Sequence, residues 1–297
     1  MKTLFIGLGK MGDPMVRRYA PTRETVLYDV NQAVATALAE SVGASAVPSF
    51  DVIADVDVVI LMLPNSRIVE TVLTGETGLL NKLLKGALVI DMGSSEPAST
   101  KVLARQAADL GISYVDAPVS GGVAKATTGE LSIMVGGAIA DAERAVEHLA
   151  PLGTQILTVG PAGSGHAAKA LNNLLSATNL SAAAEVFTIA KNFGIEADVM
   201  VEVINASTGR SQATEVKYPK HVLTGAFDSG FAMDLMLKDL AIAHELSSSA
   251  GLTTPITDQT VTTLTEARHA LDRDDLDHTE IARFYEQANH VELRSSK

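Results

Sequence analysis

Cysteine is absent from the 297 residues, which excludes disulfides, thiolate metal sites and thiol catalysis. Basic residues are outnumbered, 23 Lys and Arg against 35 Asp and Glu, for a formal net charge of −12. That balance argues against a general nucleic-acid or membrane-surface binder. Long apolar runs are missing as well. Residues 56–63 are apolar but fall short of the about 20 needed to span a bilayer. The apolar start is broken at once by Gly7-Leu8-Gly9-Lys10, unlike a signal peptide, so the cytoplasm is the default expectation. The seven histidines show no HExxH or similar metal spacing. Asp272-Arg273-Asp274-Asp275-Leu276-Asp277 lacks the glycine turn of a calcium loop and reads as a solvated loop before the last helix. Neither an internal repeat nor a low-complexity segment is present. No metal, nucleic-acid or membrane partner is expected.

The length allows two domains with substantial cores. The first half alternates strand and helix patterns. Apolar runs at 3–6, 25–28, 58–63, 87–90, 113–115, 131–135 and 156–159 read as strands. Helical patterns begin at Pro14 and cover 32–41 and 98–110. Strands this apolar suit a sheet covered by helices on both faces. After about residue 163 the character changes. Residues 166–193 hold no proline, and no glycine, until Gly194, and at 1.5 Å per residue would make a helix of about 40 Å. Residues 197–205 and 235–249 are also helical in pattern. The fold class is therefore an α/β Rossmann-type domain, 1–162, followed by an all-helical domain, 163–297, with a long interdomain helix. So long and apolar a helix predicts a homodimer or homotetramer.

Thr3-Leu4-Phe5-Ile6 runs into Gly7-Leu8-Gly9-Lys10-Met11-Gly12, a G-x-G-x-x-G with a strand before it and a helix after. In this context the first glycine makes a tight turn and the second lets a pyrophosphate approach the backbone. The third lets the helix pack on the strand. The second strand ends in Asp29, about 20 residues beyond the first glycine, where an acid can bind ribose hydroxyls. Asp29 also fits a turn residue or a cap ahead of Asn31. Val30, Asn31 and Gln32 supply no cation for a 2′-phosphate, so NAD is favoured over NADP. Ligands of such sheets lie beyond the carboxyl ends of the strands, which marks Leu63, Pro64, Ser94 and Ser120.

Gly163-Ser164-Gly165-His166-Ala167-Ala168-Lys169-Ala170-Leu171-Asn172-Asn173 enters the long helix. Lys169 and Asn173, four apart, share a helical face. An ammonium beside a carboxamide can exchange a proton with a substrate hydroxyl or carbonyl and hold that oxygen. By itself the segment equally fits a surface lysine beside a helix cap, with His166 a helix-entry residue.

Four motifs in order make the chain resemble the β-hydroxyacid dehydrogenase family over nearly its whole length. They are Gly7-x-Gly9-x-Met11-Gly12, then Asp116-Ala117-Pro118-Val119-Ser120-Gly121-Gly122 with Gly129, then Gly163-x-Gly165-x3-Lys169-x3-Asn173, and Lys238-Asp239-Leu240. The resemblance implies an active site in a cleft between the two domains. It makes Lys169 the general acid/base and Asn173 its orienting neighbour. Ser120, Gly121 and Gly122 would bind the substrate carboxylate, where small residues let backbone N–H groups approach an anion. It puts a cofactor-binding hydroxyl at Ser94 and Leu63 near the adenosine or nicotinamide riboside. Lys238 would reach the cofactor, the alternative being an ion pair with an acidic neighbour.

Departures narrow this. Asn172 stands where the 6-phosphogluconate branch has histidine, and about 135 residues follow residue 162, too few for that branch's helical domain. Lys169 also sets the chain apart from imine-reducing relatives. Gly93 replaces the family's usual small hydroxyl residue, which puts one cofactor contact in doubt. The implied activity is reversible NAD-dependent hydride transfer on a short 3-hydroxy acid or the matching semialdehyde. For Lys169 to act as base, desolvation or a nearby cation must lower its ordinary pKa. Reduction of a related sugar-acid or sulfonate aldehyde and a non-catalytic NAD-binding protein are the alternatives. Lys125 and Arg210 are candidates for recognising a distal substrate group.

Overall fold

Strand β1 (Lys2–Ile6) is an interior strand, and its alternating side chains enter two different cores. Phe5 packs with Leu27, Ile60, Ile90 and Val115 on one face, while Leu4 and Ile6 pack with Val26, Val59, Leu61 and Val89 on the other. Such two-sided burial is what the continuous apolar runs require. In the computed structural model, which describes residues 1–53, 55–75 and 78–295, the chain divides into two units, Met1–Lys169 and Ala170–Lys297.

The remaining strands are β2 (Glu24–Tyr28), β3 (Ser45–Ala46), β4 (Val58–Leu61), β5 (Leu88–Asp91), β6 (Ser113–Asp116), β7 (Val119–Ser120), β8 (Leu131–Gly136) and β9 (Gly153–Gly160). Their order is β3-β2-β1-β4-β5-β6-β8-β7, with β9 also pairing β8. The first six are parallel, β6 and β7 run antiparallel to β8, and β9 runs parallel to it. The sequence of the first six is the doubly wound 3-2-1-4-5-6, and its direction reverses between β1 and β4, where such sheets bind ligands. Helices α1 (Gly12–Tyr19), α2 (Gln32–Val42), α5 (Gly122–Thr128) and α6 (Ile139–Leu149) cover the Phe5 face. Helices α3 (Ser66–Thr74) and α4 (Pro97–Asp109) cover the other.

The 30-residue α7 (Ser164–Phe193) starts two residues before the expected position and ends where expected. Within the second unit its residues from Ala170 onward are joined by α8 (Ala197–Asn205), α9 (Met233–Ser249), α10 (Pro255–Leu271) and α11 (Ile281–Asn289). A π-helical segment, Ala213–Val222, accommodates Pro219, which has no N–H to donate. Leu180, Phe187, Tyr218, Leu240, Leu264 and Ile281 form this unit's core. Tyr218 meets Phe187 edge-on at 4.5 Å and donates to the Leu180 carbonyl at 3.0 Å.

One expectation is corrected here. The acidic run is not simply a solvated loop, because Leu276 and Asp277 are buried. Asp277 accepts from Ser229 Oγ, Gly230 N, Thr279 N and Thr279 Oγ1, and forms a capping box with Glu280. The side chain ties the entrance of α11 to the segment before α9.

Candidate active site

The glycine turn is shaped by three different demands. A Cβ on Gly7 (φ +93°) would lie 2.3 Å from the Met62 carbonyl oxygen, and one on Gly12 would lie 1.9 Å from that of Gly7. Both positions exclude any side chain. A Cβ on Gly9 would meet nothing within 4 Å, so its glycine answers to open space in front of α1. That space admits a pyrophosphate to the backbone. The Leu8 N–H donates to Asp29 Oδ2 at 2.8 Å and the Asn31 N–H to Oδ1 at 2.9 Å, so the carboxylate is held at the end of β2. Val30 beside it is exposed and apolar. Met11 flanks α1 as its N-cap. These residues fit an NAD-type dinucleotide with a free ribose hydroxyl.

At the neighbouring strand ends, Leu63 packs beside Gly7, and Pro64 follows it on the surface. A Cβ on Gly93 would sit 2.5 Å from the Leu63 carbonyl oxygen and 3.1 Å from Asp91 Oδ1. The glycine departure thus has a steric cause: with this backbone a hydroxyl residue does not fit. Half-buried Ser94 follows it. Ser120 pairs with Ser132 across β7 and β8, and Gly121 and Gly122 continue it with φ of +129° and +65°.

The start of α7 rests on a buried polar cluster. Asp116 Oδ1 accepts from the Gly163 N–H at 2.7 Å and Oδ2 from the His166 N–H at 2.9 Å. This carboxylate serves the helix entrance that the chain itself leaves with unpaired donors. Burial pushes the Asp116 carboxyl up, against the opposing pull of His166 and the two N–H groups. His166 Nδ1 shares a hydrogen bond with Thr100 Oγ1 at 2.8 Å, and its Nε2 lies 3.8 Å from Asp91 Oδ2. Asp91 accepts from Gly93 N, Ser95 Oγ and Tyr114 Oη. Burial first, then the two carboxylates, push the Tyr114 hydroxyl well above its ordinary pKa. Gly165 lets this turn approach, since a Cβ there would lie 2.4 Å from the Met134 carbonyl oxygen. Three residues beyond His166, Lys169 is 9% exposed.

In the helical unit, Asn173 is buried and donates through Nδ2 to Asp239 Oδ2 at 2.6 Å, while Asn172 Nδ2 donates to its Oδ1 at 3.1 Å. One proton on Nδ2 and one lone pair on Oδ1 remain for a ligand. Asp239 is 1% exposed on α9, next to half-buried Lys238. The structure thus joins Asn173 to Asp239 and Leu8 to Asp29. Lys125 on α5 and Arg210, between α8 and the π-helical segment, are exposed. Sequence reasoning missed the roles of Asp91, Asp116, Thr100 and Asp239. An acid ending each apolar run, at Asp91 and Asp116, and the acid beside Lys238 were the available signals.

Residues 2–160 match the family described as the NAD binding domain of 6-phosphogluconate dehydrogenase. Residues 163–285 match that described as NAD-binding of NADP-dependent 3-hydroxyisobutyrate dehydrogenase. The chain is 40% identical to 2-(hydroxymethyl)glutarate dehydrogenase of Eubacterium barkeri, over 86% of each chain. It is 35% identical to 2-hydroxy-3-oxopropionate reductase of Escherichia coli K12, over 98% of this chain and 99% of that one. The solved structure of Mycobacterium tuberculosis 3-hydroxyisobutyrate dehydrogenase with L-serine superposes with a TM-score of 0.87 at 30% identity, covering 95% of this chain and 98% of that one.

Proposed function

The chain belongs to the β-hydroxyacid dehydrogenase family, and we propose that Lys169 is the general acid/base of its NAD-dependent reaction on a short 3-hydroxy acid. The protein is an oxidoreductase of small hydroxy acids and the matching semialdehydes. The observation that carries the assignment of Lys169 is its burial on α7, one turn before an asparagine whose amide is held by a buried carboxylate. Bound NAD supplies the hydride acceptor for oxidation, and its reduced form the donor for reduction.

The chain's own residues do the rest. Neutral Lys169 takes the hydroxyl proton as the carbinol is oxidised, and its charged form returns a proton to the carbonyl oxygen. Asn173, fixed by Asp239, directs its remaining donor to that oxygen. Ser120, Gly121 and Gly122 hold the substrate carboxylate with backbone N–H groups. Gly7, Leu8, Gly9, Met11, Gly12 and Asp29 receive the pyrophosphate and ribose, while Leu63, Pro64 and Ser94 line the neighbouring strand ends. Lys238 completes the cofactor's contacts. Removing the ammonium in Lys169→Ala should lower kcat by about 10² to 10⁴. NAD affinity, read by titration calorimetry, should stay within about threefold, because the glycine turn is untouched. More than a tenth of wild-type turnover, with an isotope effect showing rate-limiting hydride transfer, would remove Lys169 from the role. A screen of short hydroxy acids, sugar acids and sulfonated analogues decides among the substrate classes.

The same reading includes a homodimer or homotetramer working in the cytoplasm. Leu171, Leu175, Val186, Ile189 and Phe193 on α7 are 49%, 62%, 40%, 68% and 83% exposed. Their spacing puts them along a helical stripe, and covering it with a second copy withdraws it from water. Light scattering at micromolar concentration should give a dimer or larger mass, and a monomer refutes the assembly.

A further inference from the structure

Lys125 follows Gly121 by four residues, the spacing at which one side chain lies over another position of a helix. A Cβ on Gly121 would fall 2.6 Å from Cδ, 2.8 Å from Cβ and 3.1 Å from Cγ of Lys125. The lysine stem therefore occupies the place that a side chain at 121 would take. It folds back over the Ser120–Gly121–Gly122 loop, with the ammonium two bonds beyond that Cδ. Among the described residues nothing gives this ammonium a hydrogen bond or ion pair. The acid closest in sequence, Glu130, accepts from Thr128 Oγ1 at 3.0 Å. A stem seated on glycine limits where the charge can go.

We infer that Lys125 selects substrates with a second acidic group, so that the preferred 3-hydroxy acid is a dicarboxylate. This rests on the reading that Ser120, Gly121 and Gly122 hold the first carboxylate. The loop's N–H groups take the carboxylate beside the reacting carbon. Lys125, anchored over that loop, takes the distal one through a charge-assisted hydrogen bond. A monocarboxylic acid leaves the ammonium in water and gains nothing from it.

The test compares 3-hydroxyisobutyrate with 2-(hydroxymethyl)glutarate, which share a hydroxymethyl carboxylate and differ by a distal carboxylate. Wild-type kcat/KM should favour the diacid by about tenfold or more, the size of a hydrogen bond to a charged group. In Lys125→Met, which keeps the apolar stem, the diacid KM should rise about tenfold with kcat within twofold. The monoacid KM should stay within twofold. Raising salt from 50 to 500 mM should raise the diacid KM in the wild type more than in the variant. If Lys125→Met alters both KM values alike, or neither, the Lys125 assignment falls and the reaction assignment stands. If the wild type oxidises neither acid, the dicarboxylate preference falls, while the wider screen of hydroxy acids decides the reaction assignment separately.

Discussion

Asp29 shows how much one carboxylate can do. Both its oxygens accept backbone N–H groups, one from the glycine turn after β1 and one from the entrance to α2. Losing it should therefore do two things. Asp29→Ala should erode the preference for NAD over NADP by about tenfold or more, since the repulsion of a 2′-phosphate disappears. It should also loosen the turn by freeing the Leu8 N–H, so kcat/KM with NAD should fall as well. Asp29→Asn keeps an acceptor oxygen and should spare the turn while still weakening discrimination. Steady-state kinetics with both cofactors checks this, and a wild type that prefers NADP contradicts it. Asp29 was legible in the sequence because a strand end and a fixed distance from the glycines point to it. Asp239 was not, because its partner Asn173 lies 66 residues away and only folding brings them together. Gly93 was legible as an oddity but not as a necessity, since its crowding comes from the Leu63 backbone.

Among the elements, α7 depends on a residue outside itself. Asp116, at the end of β6, accepts the Gly163 N–H just before the helix and the His166 N–H in its first turn. Asp116→Ala strands two buried N–H groups, which should cost about 2–4 kcal/mol in denaturant unfolding. Activity should also fall at temperatures where the fold survives, because Lys169 sits in the following turn. Asp116→Asn, with one acceptor oxygen left, should lie between. An unchanged midpoint in Asp116→Ala would show that water replaces the carboxylate. Several elements were legible in the sequence: α8 has the expected bounds, and β4 differs only in ending at Leu61, whereas the 17-residue α10 was not foreseen. The two-residue β3 and β7 were not, being too short to carry a period. The glycine that opens α5 and the proline inside the π-helical segment speak against helix locally, and tertiary packing overrides them.

At the scale of the whole molecule, His278 makes stability depend on acid. The side chain is buried against Phe231, with centroids 5.4 Å apart, and among the described residues neither ring nitrogen has a partner. Burial first, then Lys217 and His221, against the opposing pull of Asp277, push its pKa from 6.5 down to about 3. The unfolded chain therefore binds a proton that the folded chain refuses, and stability should fall as pH drops from about 6.5 towards 3. His278→Phe, similar in shape and without orphaned nitrogens, should flatten that decline by a few kcal/mol. Thermal melts between pH 7 and pH 4.5 check the slope, and parallel wild-type and variant curves would contradict it. Neither the burial of His278 nor that of Asp277 was legible, since an acidic run reads as surface until the segment before α9 folds over it.

The strand order has a consequence for synthesis. The sheet around the dinucleotide site is β2-β1-β4, drawn entirely from residues 2–61. Emerging at about 5–20 residues per second, this segment leaves the ribosome well before Lys169 is made. The glycine turn and Asp29 are then outside the ribosome while α7 is still unmade. A cofactor that binds there stabilises the nascent sheet by mass action.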